Sequence, residues 1–236
     1  MQNIIALYKR EMKSYFNSPI AYIILTVFLG IAGWFFSAGI FLVNEASVRN
    51  VMSIIPLIFI FFIPAVTMRA ISEEKKSGTI ELILTMPIKE SEIILGKFFA
   101  ALSLLAIALV FTWAYAITIS LLGDPDQGTI VTGYLGLLLM GSVYLSLGIF
   151  ASSITENQIV AFIIGILMVL FFFMLDKVLM FVPLYLTRYL EYLSVDYHYN
   201  NILRGVIDSR DVIYYLSVTI FALTLASQSL ASRKKA

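Results

Sequence analysis

The sequence predicts an all-α integral membrane protein. It has six transmembrane helices, an amphipathic interfacial helix at the N-terminus, a short cytoplasmic helix after the second span, and re-entrant or interfacial outer helices before the last span. Three observations carry this reading. Hydrophobic residues make up 60% of the 236 positions and charged residues only 13%, against about 45–50% and about 25% in soluble domains. Long uncharged runs recur six times, and the mean hydropathy is +0.93. Eleven of the sixteen basic residues fall at span ends that share one side. Residues 1–236 read as one membrane domain, with no internal repeat.

The first element, 1–17, places Ile4, Ile5, Tyr8, Met12, Tyr15 and Phe16 at helical spacing, with Lys9, Arg10, Lys13 and Asn17 elsewhere on the wheel. That pattern suits a helix lying in the headgroup plane before Pro19 turns the chain inward, in preference to an ordinary basic flank. A span needs roughly 20 apolar residues to cross about 30 Å of hydrocarbon. The candidates are 20–43, 51–68 (short, with Pro56 and Pro64), 98–123, 128–155, 157–175 and 212–232. The first is too long for the apolar core of a signal peptide and reads as an anchor. The polar residues from Ser152 to Gln158 read as a turn between spans four and five, the alternative being one long broken helix.

Basic residues on the inner side outnumber those on the outer by eleven to five (Lys9, Arg69, Lys97 and Lys235 against Arg49 and Arg210, for example). The excess puts both termini in the cytoplasm.

Between spans two and three lies the inner segment 72–90. It opens with a charged block at Glu73–Lys76, turns at Ser77-Gly78, and runs into an apolar stretch that Thr79 can cap and Pro87 stops. Ile80, Leu82, Ile83, Leu84 and Met86 are more apolar than a loop in water needs. The segment therefore reads as a docking element, the plainer alternative being a loop packed on its own span ends. On the outer side, 176–211 holds two apolar pieces too short to cross, 178–186 and 202–207, and a crowd of tyrosines suited to a membrane boundary. Asp176-Lys177 lies roughly 28 Å from the start of its span, so it is an interfacial pair rather than a mid-membrane relay. Lone His198 reads as structural. Span four carries Gly133, Gly141, Gly148 and Ser152 near one face, a close-packing stripe that serves either an internal neighbour or a dimer seam.

Several chemistries are excluded. Without cysteine and with one histidine, the chain offers no thiolate or His-cluster metal site. Gly96-Lys97 is followed by Phe98 and preceded by Ser91 where a phosphate-binding loop needs glycine. No enzyme activity, and no bound cofactor or metal, is expected of this chain.

The run from Ser72 to Leu82, with Glu74, Gly78, Thr79 and Glu81 in it, then Pro87 and Glu92-Ile-Ile-Leu-Gly-Lys97, resembles the type-2 family of ABC transporter permeases. The segment Asp196–Asn200 through Arg204–Asp211 is most similar to the gliding-motility-associated (GldF-like) subgroup. Lys89 departs from the Ser or Thr that many relatives place there as a helix cap. The resemblance implies a permease subunit of an exporter in the bacterial inner membrane, paired with a second permease copy or paralogue into a twelve-span dimer. A separate ABC ATPase subunit would bind the ATP and Mg. It makes 72–90 the coupling segment, with Glu73, Glu74, Gly78, Thr79, Glu81, Leu82 and Pro87 matching its motif. Transport of an apolar or amphipathic cargo is the favoured role. The alternative is mechanotransmission, in which ATPase motion acts on an extracytoplasmic auxiliary partner without a substrate passing through.

Overall fold

The structure is a computed structural model that describes residues 2–43, 48–123, 126–179 and 183–234. Lys235 and part of the stretch 178–186 lie outside the described residues. Among the described residues eleven helices follow in order: α1 (Gln2–Asn17), α2 (Pro19–Val43), α3 (Val48–Thr67), α4 (Ser72–Lys76), α5 (Thr79–Thr85), α6 (Glu90–Leu122), α7 (Gln127–Ser153), α8 (Gln158–Val178), α9 (Leu184–Leu193), α10 (Val195–Ile202) and α11 (Ser209–Lys234). Among the described residues, six segments are long and apolar enough to cross a membrane, as the sequence predicts. The second, Val51–Lys76, continues beyond α3 into α4.

The bundle is built around α7, which packs against α3, α6, α8, α10 and α11. Its glycines explain how α3 comes so close. A Cβ added at Gly133 would stand 2.3 Å from Met52 Sδ, at Gly141 2.2 Å from Leu105 Cδ2 and 3.6 Å from Phe59, and at Gly148 2.1 Å from Thr67 Oγ1. The glycine stripe is thus filled inside the chain, mainly by α3 and also by α6. On the other flank, Ser142 and Thr219 hydroxyls meet at 3.1 Å and tie α7 to α11.

α3 carries Pro56 and Pro64 within its length. Proline has no N–H, so the carbonyl four residues earlier loses its helical partner. For Pro56 that carbonyl belongs to Met52, and the Tyr199 hydroxyl donates to it at 3.0 Å. A bilayer offers no water for this purpose, so the bond must come from the protein.

Tyr199 sits on α10, and here the structure differs from the sequence expectation. The short helices of the outer segment are Leu184–Leu193 and Val195–Ile202, while 203–207 forms turn and coil. The tyrosines also divide. Tyr185, Tyr189 and Tyr192 are exposed, whereas Tyr199, Tyr214 and Tyr215 are buried. Tyr214 and Tyr215 donate to the Leu193 and Val195 carbonyls at 2.6 and 2.8 Å. A buried phenol needs an acceptor, and these three find theirs on backbone. His198 is buried between Asp211 Oδ1 at 2.6 Å and the Tyr192 carbonyl at 2.9 Å, stacked on Tyr214. Lys177 bridges Asp176 and Asp196, so the interfacial pair also ties α8 to α10.

The turn between α7 and α8 has the expected polar chemistry. Asn157 caps α8 by accepting the Ile159 N–H at 2.9 Å, and Thr155 Oγ1 accepts the Asn157 N–H at 3.1 Å.

Close packing on α7 makes a direct prediction. Gly148→Ala forces a methyl into Thr67, an overpacking that costs about 1–3 kcal/mol. Gly39→Ala, whose new methyl meets nothing within 4 Å, should be neutral or slightly stabilising. Unfolding of both variants in mixed micelles checks the contrast; equal effects would contradict it.

Candidate functional site

Where α3 ends, the chain leaves the bundle, turns twice and returns as α6. Thr67 folds its hydroxyl back onto the Ile63 carbonyl at 3.0 Å. The backbone then breaks, and the break is closed from α7: Ser152 Oγ accepts the N–H groups of Ile71 and Ser72, each at 3.0 Å, and donates to the Met68 carbonyl at 3.1 Å. Ser152 therefore does more than allow a close approach. It holds the start of α4. One turn on, buried Lys75 donates to the Ser153 carbonyl, which also accepts from Ser229 of α11 at 2.9 Å.

After α4 the chain reverses at Gly78, whose φ of 72° lies in the left-handed region that a side chain disfavours. Gly78 occupies the position before α5, so Thr79 is the first helical residue and does not cap it. Its hydroxyl instead shares a 2.9 Å hydrogen bond with Ser77 and reaches the Glu74 carbonyl at 3.3 Å. α5 ends at Thr85, with Met86 extended ahead of exposed Pro87, as the rule for residues preceding proline requires. At the head of α6, the Glu92 carboxylate accepts the Lys89 N–H at 3.1 Å. This is the half of a capping box that needs no Ser or Thr at position 89.

The faces of α5 are sharply different. Ile80 and Ile83 are buried within the chain, at 0% and 6% exposure, whereas Leu82 and Met86 stand 66% and 52% exposed. Of the apolar residues expected to meet a partner, Ile80 and Ile83 are already covered by the chain itself. Exposed apolar surface is offered by Leu82 on α5 and Met86 just beyond it, flanked by exposed Glu81 and Thr85, while the side chain of Leu84 lies outside those described.

The charged block also divides. Glu73 is exposed, while Glu74 turns inward to Arg10 at 2.6 Å and Lys97 at 2.9 Å. Lys97 is almost wholly buried and also meets Glu11 at 3.1 Å. Burial alone would push the Glu11 carboxyl up. Lys97 and Arg10 override that and hold it below the usual range. One knot of four charges thus joins α1, α4 and α6. Gly96, beside it, lets α1 lie against α6: a Cβ there would stand 2.7 Å from Leu7 Cβ. The sequence signal for this knot was a single cation, Lys97, at the entry to an apolar helix, which has to find a carboxylate or leave the bilayer edge.

The segment α4–α5 is therefore presented at one end of the bundle, with α4 fastened to α1 and α6 through Glu74 and to α7 through Ser152 and Lys75. The described residues thus define a polytopic helical membrane protein with such an element at one face. The family model described as ABC-2 family transporter protein matches residues 5–231, and the chain belongs to that family: it is a membrane permease component of an ABC transporter. Comparison with curated proteins gives no match.

Ser152→Ala leaves two buried amides without an acceptor, at about 1–3 kcal/mol for each unsatisfied group. Ser153→Ala removes only a hydroxyl that bonds back to Phe150 of its own helix and should cost much less. Hydrogen exchange at Ile71 and Ser72 should quicken in the first variant alone.

Proposed function

We propose that this chain forms the transmembrane half of an exporter driven by a separate ATPase chain, and that α4–α5 is the element on which the ATPase docks. The observation that carries the reading is exposed Leu82, with exposed Met86 just past the helix end, on an α5 whose Ile80 and Ile83 are buried. Exposed apolar surface costs roughly 25 cal/mol per Å² until a partner covers it. A shallow apolar groove rimmed by basic residues would cover Leu82 and Met86 and meet Glu81. ATP and Mg would be held by that partner, and nucleotide hydrolysis would occur there.

The proposed mechanism follows from how α4–α5 is fastened. Closure of a pair of ATPases would press on α5. Through Ser152 and Lys75 that push reaches α7, through Glu74 and Lys97 it reaches α1 and α6, and through the backbone it reaches α3. The six spans would then tilt as a connected set about α7. A second copy or paralogue completes the path in a twelve-span dimer. The basic excess supports placing the α4–α5 side, with both termini, in the cytoplasm of a cell whose inner membrane holds the protein. Likeness of the 196–211 segment to the gliding-motility subgroup supports that assignment within the family. The outer segment supports transport over mechanotransmission, because α10 packs back onto α7, α8 and α11 instead of extending toward an external partner.

Glu81→Lys combined with Leu82→Asp should weaken association with the ATPase by at least about tenfold, equivalent to about 1.4 kcal/mol, while membrane yield stays at the wild-type level. Gly78→Val should uncouple differently, by misdirecting α5. Co-purification of the double variant with ATPase at full yield, with transport unchanged, would overturn the docking assignment.

A further inference from the structure

Beside the charge knot, two side chains of opposite sign have no ion-pair partner among the described residues: Arg69 and Glu73. The Arg69 Nε is buried without an acceptor, and Glu74 Oε2 without a donor. An unmatched guanidinium and an unmatched carboxylate oxygen in the same place are costly unless something else fills their valences. Both Arg69 and Glu73 line a cavity of about 100 Å³ between α1 and the end of α3, together with Glu11 and Ser14. The same four residues border a wider polar depression of about 550 Å³ that extends to Glu74.

The small cavity lies next to an apolar groove. Ile24 and Ala65 belong both to its wall and to that of a groove of about 440 Å³ between α2 and α3, lined by Val27, Ile31, Leu57 and Phe61 among others. On α2 the groove runs from Ile23 to Phe35, about 18 Å at 1.5 Å per residue. Half of a hydrocarbon core of about 30 Å is about 15 Å. The groove has the length of one leaflet, and its polar end lies where α1, the amphipathic helix, meets the first span.

We propose that this cavity and the adjoining groove together bind one glycerophospholipid with a primary-ammonium headgroup, such as phosphatidylethanolamine. The phosphate diester lies on Arg69, the ammonium donates to Glu73 with Glu74 behind it, and an acyl chain lies along the α2–α3 groove. Charge complementarity decides the class. Arg10, Arg69 and Lys97 face Glu11, Glu73 and Glu74 around the polar end; Arg10 and Lys97 are matched by Glu11 and Glu74. One cation and one carboxylate remain, which fits a zwitterion and disfavours an anionic headgroup. A choline headgroup has no N–H to donate to the carboxylates, whereas a primary ammonium has three. The bound lipid would bridge α1, α2 and the α3–α4 junction. This inference does not depend on the transport reading.

The test is native mass spectrometry of the full-length chain released from nanodiscs of mixed phosphatidylethanolamine, phosphatidylcholine and phosphatidylglycerol, with circular dichroism of each variant alongside. Wild type should retain one phosphatidylethanolamine per chain in preference to the other two. Arg69→Gln should lower that retention by about ten- to a hundredfold, the range for a lost charge-assisted hydrogen bond, and Arg69→Lys by less. Glu73→Gln should shift the preference toward phosphatidylglycerol, and it decides the matter should Arg69→Gln not fold. Ala65→Trp, which narrows the junction of cavity and groove, should also release the lipid. Retention of phosphatidylglycerol as well as phosphatidylethanolamine by wild type would overturn the proposal, as would undiminished retention in Arg69→Gln or an unchanged preference in Glu73→Gln. Binding of soluble glycerophosphoethanolamine as tight as that of the whole lipid would overturn the assignment of the groove to an acyl chain.

Discussion

A backbone N–H or C=O buried in hydrocarbon has no water to fall back on, and in this protein that constraint falls hardest on α3. Two prolines interrupt its hydrogen-bond ladder, and just past its C-terminus the chain leaves the helix altogether. Two of these weak points, Pro56 and the break past the C-terminus, are closed by side chains from elsewhere. Tyr199 of α10 supplies the donor for the carbonyl that Pro56 orphans, and Ser152 of α7 supplies the acceptor for the amides of Ile71 and Ser72. The helix that leads directly into the exposed element is thereby held at both ends by hydroxyls.

Those two hydroxyls work only because α7 is close enough to use them. Small residues along α7 bring α3 to within side-chain contact from Met52 to Thr67, and Ser152 continues the same face one turn past Gly148. Packing and polar satisfaction are one device here. Displacing α7 by an ångström would both open the glycine contacts and pull the Ser152 hydroxyl from its amides. This is why the α4–α5 element is mechanically connected to the centre of the bundle, and why the charge knot of Arg10, Glu11, Glu74 and Lys97 is a second attachment and not merely surface decoration.

The spans were legible in the sequence because hydropathy over some 20 residues is a strong, local signal. So was the turn at Ser152–Gln158, whose polar residues had no other use, and so was the short helix ended by Pro87. What escaped was pairwise. Glu74 looks like its neighbour Glu73 in the sequence, yet one pairs with Lys97 and the other does not; only the arrival of α1 and α6 separates them. Ile80 and Leu82 are equally apolar, and which of them is free depends on the face by which α5 meets the bundle. The outer helices were placed by apolarity alone at 178–186 and 202–207, although their actual course is set by tyrosines and His198 seeking buried acceptors. Pro56 was visible, but nothing local marks Tyr199, 143 positions away, as the residue that answers it.

The central claim is that α5 presents its Leu82 face to an ATPase while the opposite end of the bundle does not. A photo-crosslinking amino acid placed at Leu82, and separately at exposed Tyr189 of α9, measures this most directly in membranes that contain both proteins. The account predicts a covalent adduct between permease and ATPase from position 82 and none from position 189. An adduct from position 189, or equal failure at both positions with the complex intact, would contradict it.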